Sequence, residues 1–442
     1  MDYNKLIDSL KKANASDVEI YNVSEIGDNL TLFDSVPTEN ISYSTNVFNI
    51  NCNINQKNVS MYVENLNDSN IDNIVKRLID EANILDVKEN HMFYDDSKVV
   101  LIYDNEVNDL FKYPKSRIID NLQALTKKIK GVSTFCKNVR ISLGIVKEKE
   151  VIQNTKGLNK THIQDLGYLS VEAVVKKGNI SVPGNYMTYF NNFDEIKEEE
   201  IINKTVVEAL KNINATSIKT GIYDTVLDKD CMITLLRAFS SHFSGEELVK
   251  KKTQFVNKVD KSIANDIVSI IDDPKKNKYH LIPFDDEGVD TYSKYVVENG
   301  ILKTFLHNLD TSSKLGLKST GNGFKEGKVK GNTNISPTNL YFKEGTKNLD
   351  ELFGRVKNGV YINSFAGAHA GINKTSGDFN LQSKGYLIED GKLACPITLV
   401  ITSGNYFDLL NSIEEFANDL DFNGSYGSPS AYVGKLKISG NK

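Results

Sequence analysis

Hydrophobic and polar positions change period several times along the chain, and the changes mark its elements. Leu6 and Leu10 fall at helical spacing in the opening MDYNKLIDSLKKANAS. Residues 17–22, 29–35, 41–56 and 58–65 then read as strands, and NVFNINCNINQKNVSMYVEN alternates with Gln56-Lys57-Asn58 as its turn. A helix over 69–85 follows from the stripe Ile71, Ile74, Val75, Leu78, Ile79 and Ala82 behind an Asp68/Ser69 cap. Pro114 suits the first turn of a third helix running to about Ile129. Strands are predicted again over 138–154 and 166–190. A fourth helix covers 193–213, burying Ile201, Ile202, Val206, Ala209 and Leu210.

The run Asn-Ala-Thr-Ser-Ile-Lys-Thr-Gly at 214–221 interrupts two periodic segments and places a domain boundary there. Residues 221–227 then read as a strand feeding a helix over 228–244. Beyond it, strands alternate with Gly- and Asn-rich turns. One hairpin joins 385–389 to 392–402 through Asp390-Gly391. Leu409, Leu410, Ile413, Phe416 and Ala417 predict a short amphipathic helix. The expected fold class is α+β in two domains. Residues 1–219 form a mixed or antiparallel sheet with helices, and 220–442 form a β-rich barrel-like or sandwich domain.

A length of 442 residues agrees with two cores rather than one. The formal net charge of −5 gives no basic footprint for nucleic acid. No apolar signal core opens the chain and no run reaches the roughly 18 residues of a membrane span, so a cytoplasmic location is expected. Cys52, Cys136, Cys231 and Cys395 lie far apart, without a C-x-x-C pair, and are expected to be reduced and mostly buried, Cys395 as an inert core thiol.

Several residues could carry chemistry. His242 with Glu246 and Glu247 reads as a weak metal or proton-relay group, or as a surface histidine beside a helix-end charge pair. Asp272-Asp273 and Asp285-Asp286-Glu287 are the densest carboxylate clusters. They suit hard cations, or, more simply, the capping of turns beside Pro274 and Gly288. His369 sits in the flexible Gly367-Ala-His-Ala-Gly371. Small and polar residues recur at strand ends as Ser376-Gly377-Asp378-Phe379, Ser403-Gly404-Asn405 and Gly427-Ser428-Pro429-Ser430, where backbone can approach a ligand or partner closely. Gly377, Asp378, Phe379, Ser428, Pro429 and His369 are the candidate substrate-binding residues, and the 376–379 and 427–430 segments are expected to meet at one groove or partner surface.

These blocks stand in an order that resembles the PmbA (TldE) branch of the TldD/PmbA family, whose members also carry the name modulator of DNA gyrase. Asn373, Ser376 to Phe379, Gly385 to Pro396, Ser403-Gly404-Asn405, Asn418-Asp419-Leu420 and Ser425 to Ser430 match its C-terminal signature. Upstream, Pro283 to Gly288, Val297 to Lys303, Lys314 to Asn322 and Pro337 to Leu340 look like further blocks of the same branch. The resemblance implies a peptidase system acting on unfolded peptide, in which a TldD-like partner carries zinc on H-E-x-x-x-H. Aligned on Gly245, this chain has Leu236, Arg237 and Ser241 at the motif's His, Glu and His positions, and it contains no H-E pair at all. The chain is therefore expected to hold no catalytic residue and no metal or other cofactor, and to pair with a TldD-like subunit or with itself. A self-sufficient peptidase built on Asp285, Asp286, His369 or Cys395, and a non-catalytic peptide-binding homodimer, are the competing readings.

Overall fold

The computed structural model describes residues 3–86, 91–96, 101–104, 110–327, 329 and 331–441. Its first half is one large curled sheet. The helix α1 (Asn4–Lys12) leads into β1 (Ala15–Phe33), β2 (Val36–Ile54) and β3 (Lys57–Glu64), then α2 (Ile71–Ile84), β4 (Leu101–Asp104), α3 (Lys115–Gly131), β5 (Cys136–Asn154), β6 (Asn159–Lys177) and β7 (Ile180–Phe190). The strands order as β3-β2-β1-β5-β6, and β4 and β7 both pair with β6. The two segments expected at 17–22 and 29–35 are one continuous strand. The β2–β3 turn falls at Asn55 and Gln56, both at positive φ, one residue earlier than the pattern suggested. Asn70, not Asp68 or Ser69, is the residue before α2.

Alternation in β2 sorts its side chains between two buried surfaces. Phe48, Ile50, Cys52 and Ile54 pack with Val18 and Ile20 against Leu6, Leu10, Ile74 and Leu78 of the helices. Asn49, Asn51 and Asn53 face the other way and are also buried: Asn53 Nδ2 donates to the His91 carbonyl at 3.0 Å, and the second half of the chain reaches Asn49. There Tyr21, Val23 and Ile152 pack against Phe284 and Val329, and Asn49 Nδ2 donates to the Val329 carbonyl at 3.1 Å. Lys160, 1% exposed, donates to the Gly288 carbonyl and to Asp290 across the same junction.

Near the far end of the sheet, α3 and a helical segment over 198–212 cover Leu32, Ile141, Leu169 and Val171. The segment is α4 (Glu198–Ile202), a π turn over Asn203–Val207, and α5 (Glu208–Asn212). It sits close on β7: a Cβ at Gly184 would lie 2.1 Å from the Thr205 carbonyl oxygen, so only glycine fits.

The second half opens with β8 (Gly221–Leu227) and α6 (Lys229–Phe239). It continues with β9 (Ile270–Asp272), β10 (Lys294–Glu298), β11 (Ile301–Leu302), the hairpin β12 (Gly323–Lys325) and β13 (Thr333–Ile335), and β14 (Leu340–Phe342). Then come β15 (Gly359–Ala366), β16 (Asp378–Glu389), β17 (Lys392–Asn405), β18 (Glu415–Phe416), β19 (Asp421–Asn423), β20 (Tyr426–Ser428) and β21 (Ala431–Ser439). Strands β17-β16-β15-β8-β21 pair in sequence, and β21 pairs back to β17, closing a five-stranded barrel. A second sheet orders as β11-β10-β9-β14-β20-β19. The β16–β17 hairpin turns at Asp390 (φ 51°) and Gly391 (φ 76°), the positive pair that Asp-Gly predicts.

Inside the barrel, Leu227, Ile362, Phe379, Leu381, Val400 and Ile438 join α6's Met232, Leu235, Leu236 and Phe239 in one core. The helix expected through Ala417 stops at Ser412, since Glu415 and Phe416 extend to pair with β21 instead. All five of its predicted apolar positions are nonetheless buried. Among the described residues no helix is long and apolar enough to cross a membrane.

Candidate functional site

A cleft of 530 Å³ lies where the first sheet meets α6. One wall is Asn185 to Tyr189 of β7, which among the described residues pairs with β6 alone and carries Pro183, a residue that sheets accept at an edge. Glu200 and Lys204 of the helical segment above β7 extend this wall. Tyr186 lies against Glu200, and burial followed by that negative charge pushes its hydroxyl pKa up.

The facing wall is α6. Asp228 caps it, accepting from the Asp230 amide at 3.0 Å and from the Tyr361 hydroxyl. Burial, then the charge of Asp230, raises the Asp228 carboxyl. Lys229 pairs with Asp421 at 2.5 Å; burial works to lower its pKa, and Asp421 together with Asp228 and Asp230 raises it on balance. Asp230 is raised by burial and pulled back by Lys229 and Lys204. Two turns on, exposed Arg237 donates through Nη2 to the Asn423 carbonyl (2.7 Å) and Oδ1 (3.0 Å), with its guanidinium 5.2 Å over the Tyr426 ring. Residues 276–279 and Phe422 complete the lining, with Lys278 and Tyr279 both held on Glu195.

The motif positions, two on α6 and one in the turn after it, supply no zinc ligand. Leu236 is wholly buried in the barrel core, Arg237 is engaged with Asn423, and Ser241 is exposed. Among the described residues no three histidine, cysteine or carboxylate side chains converge as a metal-binding group. The donors that the described residues bring together therefore do not fit a zinc ion, which requires three or four such ligands in tetrahedral array.

The residues singled out from sequence lie elsewhere. Gly377 is buried at φ 87°, where a Cβ would come 2.5 Å from the Phe407 ring. Exposed Asp378 accepts from Ser376 Oγ (2.7 Å) and Asn405 Nδ2 (2.9 Å), and those bonds hold its pKa down. Phe379 is barrel core. Ser428 and Pro429 are buried in the second sheet, where Ser428 Oγ donates to the Pro429 carbonyl. Ser430 binds Asp419 and accepts from the Lys229 amide, which joins this segment to the start of α6. Segment 376–379 belongs to the barrel and 427–430 to the neighbouring sheet and its exit. His369 is exposed on a short helical turn near a shallow depression between β15, β16 and β17. None of these six residues lines the cleft.

Two readings of single residues change, and a third holds but is extended. His242 is buried rather than at the surface: its Nε2 meets the Lys374 carbonyl at 2.7 Å, its Nδ1 accepts from the Gln254 amide, and Phe239, Phe255 and Phe407 surround it. The helix breaks at Ser244, so His242 and Glu246 share no helical face. Cys395 is exposed on β17 while the other three thiols are buried. Asp285 does cap its turn, accepting from the Glu287 and Val289 amides, but it is wholly buried and also accepts from the Gly323 amide at 2.8 Å. Pro183 within an alternating strand is the one local sequence signal of the cleft.

A family model described as the PmbA/TldA metallopeptidase C-terminal domain matches residues 220–440. A metalloprotease PmbA homolog of Buchnera aphidicola is 28% identical over 249 residues, covering 56% of this chain and 53% of that protein. An Archaeoglobus fulgidus metalloprotease is 32% identical over 212 residues, 47% of this chain and 49% of its own. The chain thus spans about half the length of these curated relatives. Among solved structures, a Thermotoga maritima protein described as a proposed modulator of a DNA gyrase superposes with a TM-score of 0.88 at 28% identity, covering 99% of this chain and 100% of that one. TldE from Thermococcus kodakarensis shares the fold at a TM-score of 0.89 and 20% identity, over 99% of both chains.

Proposed function

This chain belongs to the PmbA/TldD metallopeptidase family, and from that premise we propose that it is the metal-free, TldE-like member of a peptidase pair. It holds unfolded peptide while a zinc-bearing TldD-like partner performs hydrolysis. The observation that carries this reading is the pairing of two walls in one cleft. One is an edge strand with a free side, and the other is the α6 helix, which presents Arg237 instead of a ligand or general base.

An edge strand offers a row of unpaired N–H and C=O groups, and an extended peptide can satisfy them irrespective of its side chains. Tyr186, Tyr189, Tyr279 and Phe422 supply apolar area for the peptide's alternate residues. α6 in this chain carries no histidine and no glutamate to hold zinc or serve as its base, and in this reading the bond is cut on the partner.

Hydrogen exchange tests the binding half of this proposal. An unstructured peptide added to the full chain is expected to slow exchange about tenfold or more at the outward amides of 185–189. Protection confined to 376–379 or to the turn carrying His369, with β7 unchanged, would refute it.

A further inference from the structure

The charge of the cleft runs against that of the molecule. The chain carries a formal net charge of −5, yet the cleft is lined by six basic side chains against four acidic ones. Three of the six are engaged: Lys229 with Asp421, Lys278 with Glu195, and Lys276 with Glu344. Lys197, Lys204 and Arg237 form no ion pair among the described residues, although Lys204 lies in the field of Asp228 and Asp230. Of the two remaining acids, Glu200 is tied to the Tyr186 hydroxyl, and Asp230 stands between Lys229 and Lys204.

Arg237 is the cation best prepared for a ligand. Both its bonds to Asn423 use Nη2, and Tyr426 lies under the guanidinium plane, so the side chain is held in place with Nε and Nη1 still able to donate. A planar guanidinium fixed this way matches a carboxylate, and little side-chain entropy is left to lose on binding. Lys204 sits in the π turn, a local irregularity of the kind that often accompanies function, seated on β7 at Gly184.

We infer that the cleft selects peptides by carboxylate, with Arg237 as the receiving side chain and Lys204 and Lys197 adding to the positive field along β7. This rests on the cleft being the peptide site. It adds a substrate class: acidic unfolded peptides, read through an Asp or Glu side chain or through the chain end.

The test is fluorescence anisotropy on the full chain at low salt with three unstructured ten-residue peptides. One carries two Glu and a free C-terminus, the second the same Glu with a C-terminal amide, and the third Gln for Glu with the amide. The first is expected to bind about tenfold tighter than the third, with the difference shrinking as salt is raised. The second locates the source: affinity like the first assigns the side chains, affinity like the third assigns the chain end. Arg237→Gln should bring the ratio close to one, and Arg237→Glu should turn the preference toward a Lys-substituted peptide. Equal binding of all three peptides overturns the inference and leaves the peptide cleft standing. Binding of none overturns both.

Discussion

Replacing Asp272 with alanine is expected to destabilise the second half of the molecule by about 3–5 kcal/mol, the usual cost of leaving a buried charge without its partner. Asp272 is fully buried at the end of β9. Its Oδ1 accepts from the Thr338 amide (2.8 Å), the Thr338 hydroxyl (2.8 Å) and the Asn339 amide (3.0 Å). Its Oδ2 accepts from Lys294 Nζ (3.0 Å) and Asn322 Nδ2 (2.9 Å). One carboxylate thereby ties β9 to β10, to the strand entry at β14 and to the loop carrying Asn322. Removing it strands the Lys294 ammonium, itself 7% exposed, together with several backbone and amide donors. The double variant Asp272→Leu/Lys294→Met removes both charges and should recover part of the loss. Urea denaturation of the two variants beside the parent decides the matter, and a loss under about 1 kcal/mol for Asp272→Ala would show that Lys294 finds another partner or water.

Stability is expected to fall as pH rises from about 6.5 to 8, the reverse of the usual carboxylate behaviour. At the junction between the sheet and the second half, burial raises Asp285 to about 6, Asp286 to about 7, Glu19 to about 7 and Glu287 to about 8. They face one another with Tyr21 of β1, Glu150 of β5, His162 and Lys160 of β6, and Lys325 of β12, the cation acting on all four. The folded state keeps protons that the unfolded chain releases near pH 4. The stability these groups contribute is therefore complete below their unfolded pKa and is lost as pH climbs through the folded values. Burial lowers His91 and His307 to about 4, which removes stability as pH falls below 6.5. The two sets oppose each other on the acid side, and above 6.5 the histidine contribution fades while the carboxylates dominate. Glu287→Gln keeps an acceptor for the Leu309 amide and removes the charge. At pH 8 it should gain roughly 1–3 kcal/mol, since a tenfold difference in proton affinity between the folded and unfolded chain is worth about 1.4 kcal/mol. Melting temperatures that rise from pH 6.5 to 8, with no gain in the variant, would contradict this account of the junction.

What the sequence disclosed was local. The alternation in β2, the stripe of α2, Pro114 at the start of α3 and the Asp390-Gly391 turn depend on residues a few positions apart, and all are present. The asparagines of β2 were legible as one face of a strand. The burial of Asn49 was not, because its partner is Val329, more than two hundred residues later. Asp285 looked like a turn cap and is one, but its burial comes from contact with another sheet. The periodicity from Leu409 to Ala417 failed for a related reason, since pairing of Glu415 and Phe416 with β21 outweighed helical propensity beyond Ser412. The site followed the same rule. Small residues at 376–379 and 427–430 advertise close packing, and they pack closely, whereas the cleft is assembled from β7, α6 and the 276–279 and 420–423 loops, whose proximity no local pattern encodes.

The division of labour between two chains is the central claim, and a mixing experiment addresses it most directly. Purified chain, with its zinc content measured by elemental analysis, is incubated with an unfolded peptide, alone and together with a TldD-like paralogue carrying H-E-x-x-x-H. The account predicts no stoichiometric zinc and no cleavage from this chain alone, and cleavage that requires both chains or is strongly enhanced by this one. Cleavage by the isolated chain, abolished by a chelator and restored by metal, would contradict it.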